Sequence, residues 1–241
     1  MHEVCRKYGA LMILDEVMCG MGRTGTLHAW EQLDVVPDIQ TIGKALGGGY
    51  QPVAGVLASR HVISAIEKGS SFVLILSRTV WRVADDVSYR VFVHGQTYQG
   101  HATACAAALE VQRIIQEEDL IRNVRDLGVL LAKRLNEELG GHPNVGDIRG
   151  RGFFWGIEFV TDKQSSTPFP AQDHVAMEIS EMGLAQEYGI NIYPGAGTVD
   201  GEQGDHIIVS PPFNVSSDNI EWIVKTLARL VSDYFARKMG E

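Results

Sequence analysis

The sequence predicts an α/β fold followed by a small α+β domain, and three observations carry that reading. Short apolar runs at residues 11–14, 39–42 and 53–58 have strand length and are bounded by acidic residues, glycine or proline. Helix-prone segments follow those runs, those at 61–68, 120–139 and 171–188 ending in glycine. Beyond residue 116 the strands and helices of the tail suit a small α+β unit. The division expected is therefore 1–116 for one domain and 117–241 for a second.

Residues 2–8 read as a helix end, with Gly9 as its stop. The runs 11–14 and 39–42 are strands, and 53–58 (Val-Ala-Gly-Val-Leu-Ala) is a buried strand. Residues 61–68 form a short helix closed by Gly69. Residues 71–91 then break the pattern: the run is β-prone and apolar without a period, a poor composition for an exposed loop. It reads as an atypical insertion, either a true lid or, by preference, a translated intron. Residues 103–116 and 120–139 are helices, the second stopped by Gly140-Gly141 with Pro143 beyond. Residues 153–160 form a strand, 171–188 a helix, and 190–193 and 206–210 short strands. Ser216-Ser217-Asp218 caps a last helix that buries Ile220, Ile223, Val224, Leu227, Leu230 and Val231.

With 45% hydrophobic residues in 241, the chain can bury a full core. A net charge of −9 argues against a nucleic-acid or anionic-membrane surface. Cys5, Cys19 and Cys105 are too few and too scattered for a disulfide framework or a zinc cluster, so a reducing compartment is expected. No apolar run reaches the length of a membrane span. A cytoplasmic location is the simplest expectation, with a mitochondrial one left open. His61, His142 and His174 stand singly, are expected at the surface and show no metal-ligand spacing.

Chemistry concentrates in residues 11–52. The first strand ends in Asp15-Glu16, a loop follows with Gly20, Gly22 and Gly25, and the second strand delivers Gly43-Lys44 with glycines at 47, 48 and 49. Lys44 stands 29 residues after Asp15. A flexible primary amine can bond an aldehyde cofactor covalently while a carboxylate stabilises positive charge across its ring. The glycines follow the lysine, the reverse of a nucleotide P-loop, and no strand–Gly-x-Gly-x-x-Gly–helix unit supports a dinucleotide site.

The ordered set Asp15-Glu16-Val17-Met18-Cys19-Gly20-Met21-Gly22-Arg23-Thr24-Gly25, Pro37-Asp38, Gly43-Lys44, Pro52, the segment from His94 to His101, and Arg149-Gly150-Arg151-Gly152 resembles the class III aminotransferases. The resemblance implies a pyridoxal-phosphate (PLP)-dependent transferase of fold type I, with residues 1–116 the C-terminal part of the large domain. It also implies that an N-terminal half, carrying a phosphate-binding turn and a ring-stacking aromatic, precedes this stretch. Lys44 is then the catalytic lysine that bonds the PLP aldehyde and moves protons. Asp15 pairs with the pyridine nitrogen, Val17 lies against the ring face, and Thr97 binds the PLP phosphate of the neighbouring subunit in a homodimer. Met18 replaces a glutamine that in some relatives contacts the ring oxygen. Arg23 and His94 are secondary candidates, for which loop structure or a dimer contact is the preferred role.

Many relatives hold a substrate carboxylate with an arginine three residues before Pro211-Pro212, where this chain has Ile208. Arg149 and Arg151 remain candidate carboxylate partners, beside tight-turn roles, and an amine donor lacking a carboxylate there fits Ile208. The function implied is transfer of an amino group from a primary amine or amino acid to a 2-oxo acid, with no nucleic-acid, membrane or metal partner. The competing readings are a non-catalytic fragment or interaction subunit, and a PLP-dependent aminomutase.

Overall fold

The computed structural model describes residues 1–67, 95 and 97–240. The segment 71–91, Gly69 and His94 lie outside the described residues. Two compact units form, one from Met1–Met18 with Leu33–Val111 and one from Cys19–Gln32 with Gln112–Glu241.

The first unit opens with α1 (His2–Tyr8), ended by Gly9 at a φ of 64°. Strands β1 (Ile13–Asp15), β2 (Ile39–Ile42) and β3 (Gly55–Ala58) make a mixed sheet in that order, β1 parallel and β3 antiparallel to β2. β1 is shorter than its apolar run because Asp38 takes over at its start. The Met12 N–H donates to the Asp38 carboxylate at 2.7 Å, and the Asp38 N–H donates back to the Met12 carbonyl. β3 was expected to be buried; as an outer strand of this sheet it leaves Val56 65% and Leu57 45% exposed. Helices α2 (Arg60–Glu67) and α3 (Ala102–Glu117) follow the sheet in sequence.

In the second unit, β4 (Val145–Arg151), β5 (Phe154–Asp162), β8 (Asp205–Val209) and β7 (Tyr193–Gly195) form an antiparallel sheet in the order β4-β5-β8-β7. β6 (Thr167–Pro168) adds to β5. Alternation sets its two faces. Ile157, Phe159, Ile207 and Val209 point into a core completed by α4 (Leu120–Leu139), α5 (Val175–Gly183) and α6 (Ser217–Gly240). The helices fit because their apolar residues recur at helical spacing, Val124, Leu131, Leu135 and Leu139 on α4 and Ile220, Val224, Leu227 and Val231 on α6. The Ser216 hydroxyl accepts the Asn219 N–H and so caps α6.

Three sequence expectations are corrected in this unit. Residues 149–151 belong to β4 rather than to a turn, and the hairpin reverses at Gly152, whose φ is 53°. The helix expected over 171–188 reduces to Val175–Gly183. His174 adopts a φ of 45° before it, the buried Asp205 carboxylate accepts the Ala176 N–H at 2.9 Å, and the chain doubles back so that Ile190 donates to the Gly183 carbonyl. His142 is half-buried against Phe235, ring centroids 5.4 Å apart, and that burial pushes its pKa down.

Candidate active site

The register of the first sheet explains how its site is built. Asp15 pairs with Thr41 across the parallel β1–β2 ladder, and the Thr41 hydroxyl donates to Asp15 Oδ1 at 2.9 Å. The Val17 N–H donates to the same oxygen at 3.0 Å. That backbone donor, then the Thr41 hydroxyl and the positive charge of Lys44, hold the Asp15 carboxyl below its ordinary pKa. Asp15 is therefore an exposed carboxylate kept in its charged form. Its neighbour Glu16 points the other way: it is 3% exposed and accepts the amide of the buried Gln40 at 3.0 Å. Glu16 builds the strand junction.

Lys44 starts a short 3-10 turn (Lys44–Leu46) directly after β2, with a φ of 43°. A left-handed conformation at a non-glycine residue is strained, and such strain clusters at functional sites. Gly43 in front of it lies close to Val17, whose Cγ1 a Cβ there would meet at 3.3 Å. Gly47 behind it is more tightly fixed: a Cβ would meet the Gln51 carbonyl oxygen at 2.2 Å. The structure thus brings Asp15, Val17 and Lys44 together around the ends of two adjacent strands. Thr97 lies exposed in the turn 97–100 that leads into α3, and among the described residues no hydrogen bond joins it to Lys44.

The glycine-punctuated loop belongs to the second unit. Arg23 donates to the Pro211 carbonyl at 2.5 Å and to the Phe153 carbonyl at 3.4 Å, and its guanidinium lies over the Phe213 ring at 4.5 Å. Burial pushes its pKa down to about 10. These contacts tie loops together. Gly152 sits so close to this loop that a Cβ would meet the Thr24 carbonyl carbon at 2.6 Å.

The outward face of the second sheet carries a groove of about 500 Å³, lined by Thr24, Arg149, Arg151, Phe154, Trp155 and Ile208 among others. Both sequence-predicted arginines reach it, together with Ile208. Arg149 is neutralised by Asp147 at 2.7 Å and Glu158 at 2.6 Å, Glu158 foremost in raising its pKa. Arg151 donates to the Gln32 side-chain carbonyl at 3.0 Å. Sequence reading missed Thr41, Gln32, Gly156 and His206. Only Thr41 carried a signal, as the β2 residue level with Asp15.

The class III aminotransferase family model matches residues 1–231 of this chain. An aminotransferase of Gibberella zeae is 49% identical over 231 residues, covering 96% of this chain and 41% of that protein. The adenosylmethionine-8-amino-7-oxononanoate aminotransferase of Staphylococcus aureus is 32% identical, covering 98% and 46%. The crystal structure of a Bacillus anthracis aminotransferase superposes with a TM-score of 0.78 at 34% identity, covering 96% of this chain and 47% of that one. The fold is that of the PLP-dependent transferases of fold type I. The chain belongs to the class III aminotransferase family, and it spans under half the length of these relatives.

Proposed function

We propose that this chain carries the lysine-bearing part of a PLP-dependent aminotransferase that moves an amino group from a primary amine or amino acid to a 2-oxo acid. The observation that carries the reading is the meeting of Asp15, Val17 and Lys44 at adjacent strand ends, with the Val17 N–H and the Thr41 hydroxyl favouring the ionised form of Asp15. These residues fit PLP: a carboxylate for the pyridine nitrogen, an apolar side chain for the ring face and an amine for the aldehyde. An amine transaminase from an uncultivated Pseudomonas species, 30% identical, is described in a PLP-bound form, which supports the same cofactor. Once bound, PLP would serve as the sink for the electrons left when the substrate carbon loses its proton.

Lys44 Nζ would attach the cofactor, be displaced by the substrate amine, and then carry the proton from the substrate carbon to the cofactor C4′. Asp15 would keep the pyridine nitrogen protonated, a role its depressed pKa suits. Thr97 would offer a hydroxyl to the cofactor phosphate of a second subunit, so a homodimer is part of the reading. The large domain would end near residue 116 and the small one occupy 117–241. Cysteines that are few and scattered support a reducing, cytoplasmic compartment. No helix among the described residues is long and apolar enough to cross a membrane.

The test is covalent capture. The chain and its Lys44→Ala variant are mixed with PLP, reduced with borohydride and digested. The expected result is the pyridoxyl mass on the Lys44 peptide alone; no label in either protein would leave a non-catalytic subunit as the better description.

A further inference from the structure

The groove on the second unit's sheet has a built shape and an asymmetric charge. Arg149, Gly156, Ile208 and Tyr193 fall level across four neighbouring strands, β4, β5, β8 and β7. Gly156 has no side chain, so the row dips between Arg149 and Ile208. Nothing backs into that dip: a Cβ at Gly156 would meet only the Arg149 carbonyl oxygen, at 3.8 Å. Phe154 supplies apolar surface on that face, whereas the Trp155 indole lies on the opposite face against the core, its N–H donating to the Gly152 carbonyl at 2.8 Å. A cavity of about 500 Å³ is of the size that takes a small organic ligand.

The two arginines are not equivalent. Arg149 faces two carboxylates, Asp147 and Glu158, so its end of the groove holds an excess of negative charge and repels anions. Arg151 meets only a neutral amide among the described residues. That amide cannot turn away, because the Gln32 Nε2 group is occupied by Thr24 O, Thr24 Oγ1 and Thr26 Oγ1 at 2.9 to 3.2 Å. Gln32 therefore steadies the guanidinium by one N–H and leaves its other donors and its charge available.

We propose that Arg151 is the carboxylate-binding residue of this groove, which takes a monocarboxylate with an apolar or aromatic body, and that Arg149 does not bind the anion. Calling that ligand a substrate, a 2-oxo acid or amino acid, rests on the aminotransferase reading; the anion site itself does not.

The experiment uses the full chain and the Ile208 backbone N–H as an NMR reporter, titrated with 3-phenylpropanoate and with 3-phenylpropan-1-ol, which has the same body without the charge. Charge-assisted hydrogen bonds predict that the carboxylate binds at least about tenfold more tightly than the alcohol. Arg151→Met erases that preference, Arg151→Lys keeps part of it, and Arg149→Met retains it. Gly156→Leu, whose Cβ would meet nothing closer than 3.8 Å, fills the dip and abolishes binding of both compounds. Equal binding of the two compounds, binding of neither, or a preference that survives Arg151→Met would each overturn the proposal. PLP capture at Lys44, measured on the same preparations, separates the two readings. Preference without capture sinks the aminotransferase reading and leaves the anion site standing, whereas capture without preference sinks the anion site alone.

Discussion

Gly128→Ala sets two effects of opposite sign against each other. Gly128 lies inside α4, where replacing glycine by alanine in open space stabilises a helix by about 1 kcal/mol. The added Cβ, however, would lie 2.7, 2.8 and 2.9 Å from the Gly152 Cα, carbonyl oxygen and carbonyl carbon. All three are backbone atoms of the hairpin turn, and Gly152 is itself held against Thr24. No flexible side chain can give way, so α4 and the hairpin must separate. Overpacking of this kind costs about 1–3 kcal/mol or more, which outweighs the gain in propensity. For a unit of this size about 2–4 °C of melting temperature follows each kcal/mol, so the variant is expected to melt a few degrees lower. Gly141→Ala is the matched control, since a Cβ there meets nothing within 4 Å. Near-ultraviolet circular dichroism through a thermal melt reads the aromatic core directly. Should Gly128→Ala melt higher than the parent, propensity would dominate and the close-approach argument would be wrong. Because the same hairpin presents Arg151, the variant is also expected to lose part of its preference for the carboxylate.

Phe235→Ala removes a ring, 2% exposed, that packs on His142, Phe159, Phe169 and Tyr234, and is expected to cost about 3–5 kcal/mol in urea unfolding. A loss below about 1 kcal/mol would show that this cluster is not a core. Arg23→Met strips the Pro211 and Phe153 carbonyls of their donor, for an expected loss of about 1–3 kcal/mol; full stability in the variant would contradict a tethering role. Asp15 has a folded pKa below its unfolded value, so its stabilising contribution is present above the ordinary carboxylate pKa and is lost as pH falls through the folded value. Thr41→Val removes the hydroxyl donor and should move the Asp15 titration upward when followed by carboxyl carbon NMR; an unmoved titration would remove Thr41 from the site.

What the sequence revealed and what it hid follow the range of the interactions involved. The α4 helix was legible to the residue, because leucines at helical spacing and a glycine pair at its end are local signals. The joining of Asp15 and Lys44 was legible for a related reason: each ends a short apolar strand, and two adjacent parallel strands bring their ends to one edge. β4 was not legible, because Val-Gly-Asp-Ile-Arg-Gly-Arg has the composition of a loop and is held as a strand by pairing with β5. The bounds of α5 were hidden for the same reason, since its start is set by a buried aspartate 29 residues from Ala176 and its end by a chain reversal. The two arginines make the sharpest case. In sequence Arg149 and Arg151 are interchangeable, two residues apart in one strand and on the same face of it. What separates them is that β5 sets Glu158 beside one, and a loop more than a hundred residues earlier sets Gln32 beside the other. A carboxylate partner fills a guanidinium and an amide does not, so the choice of binding residue is made by neighbours that only the fold supplies.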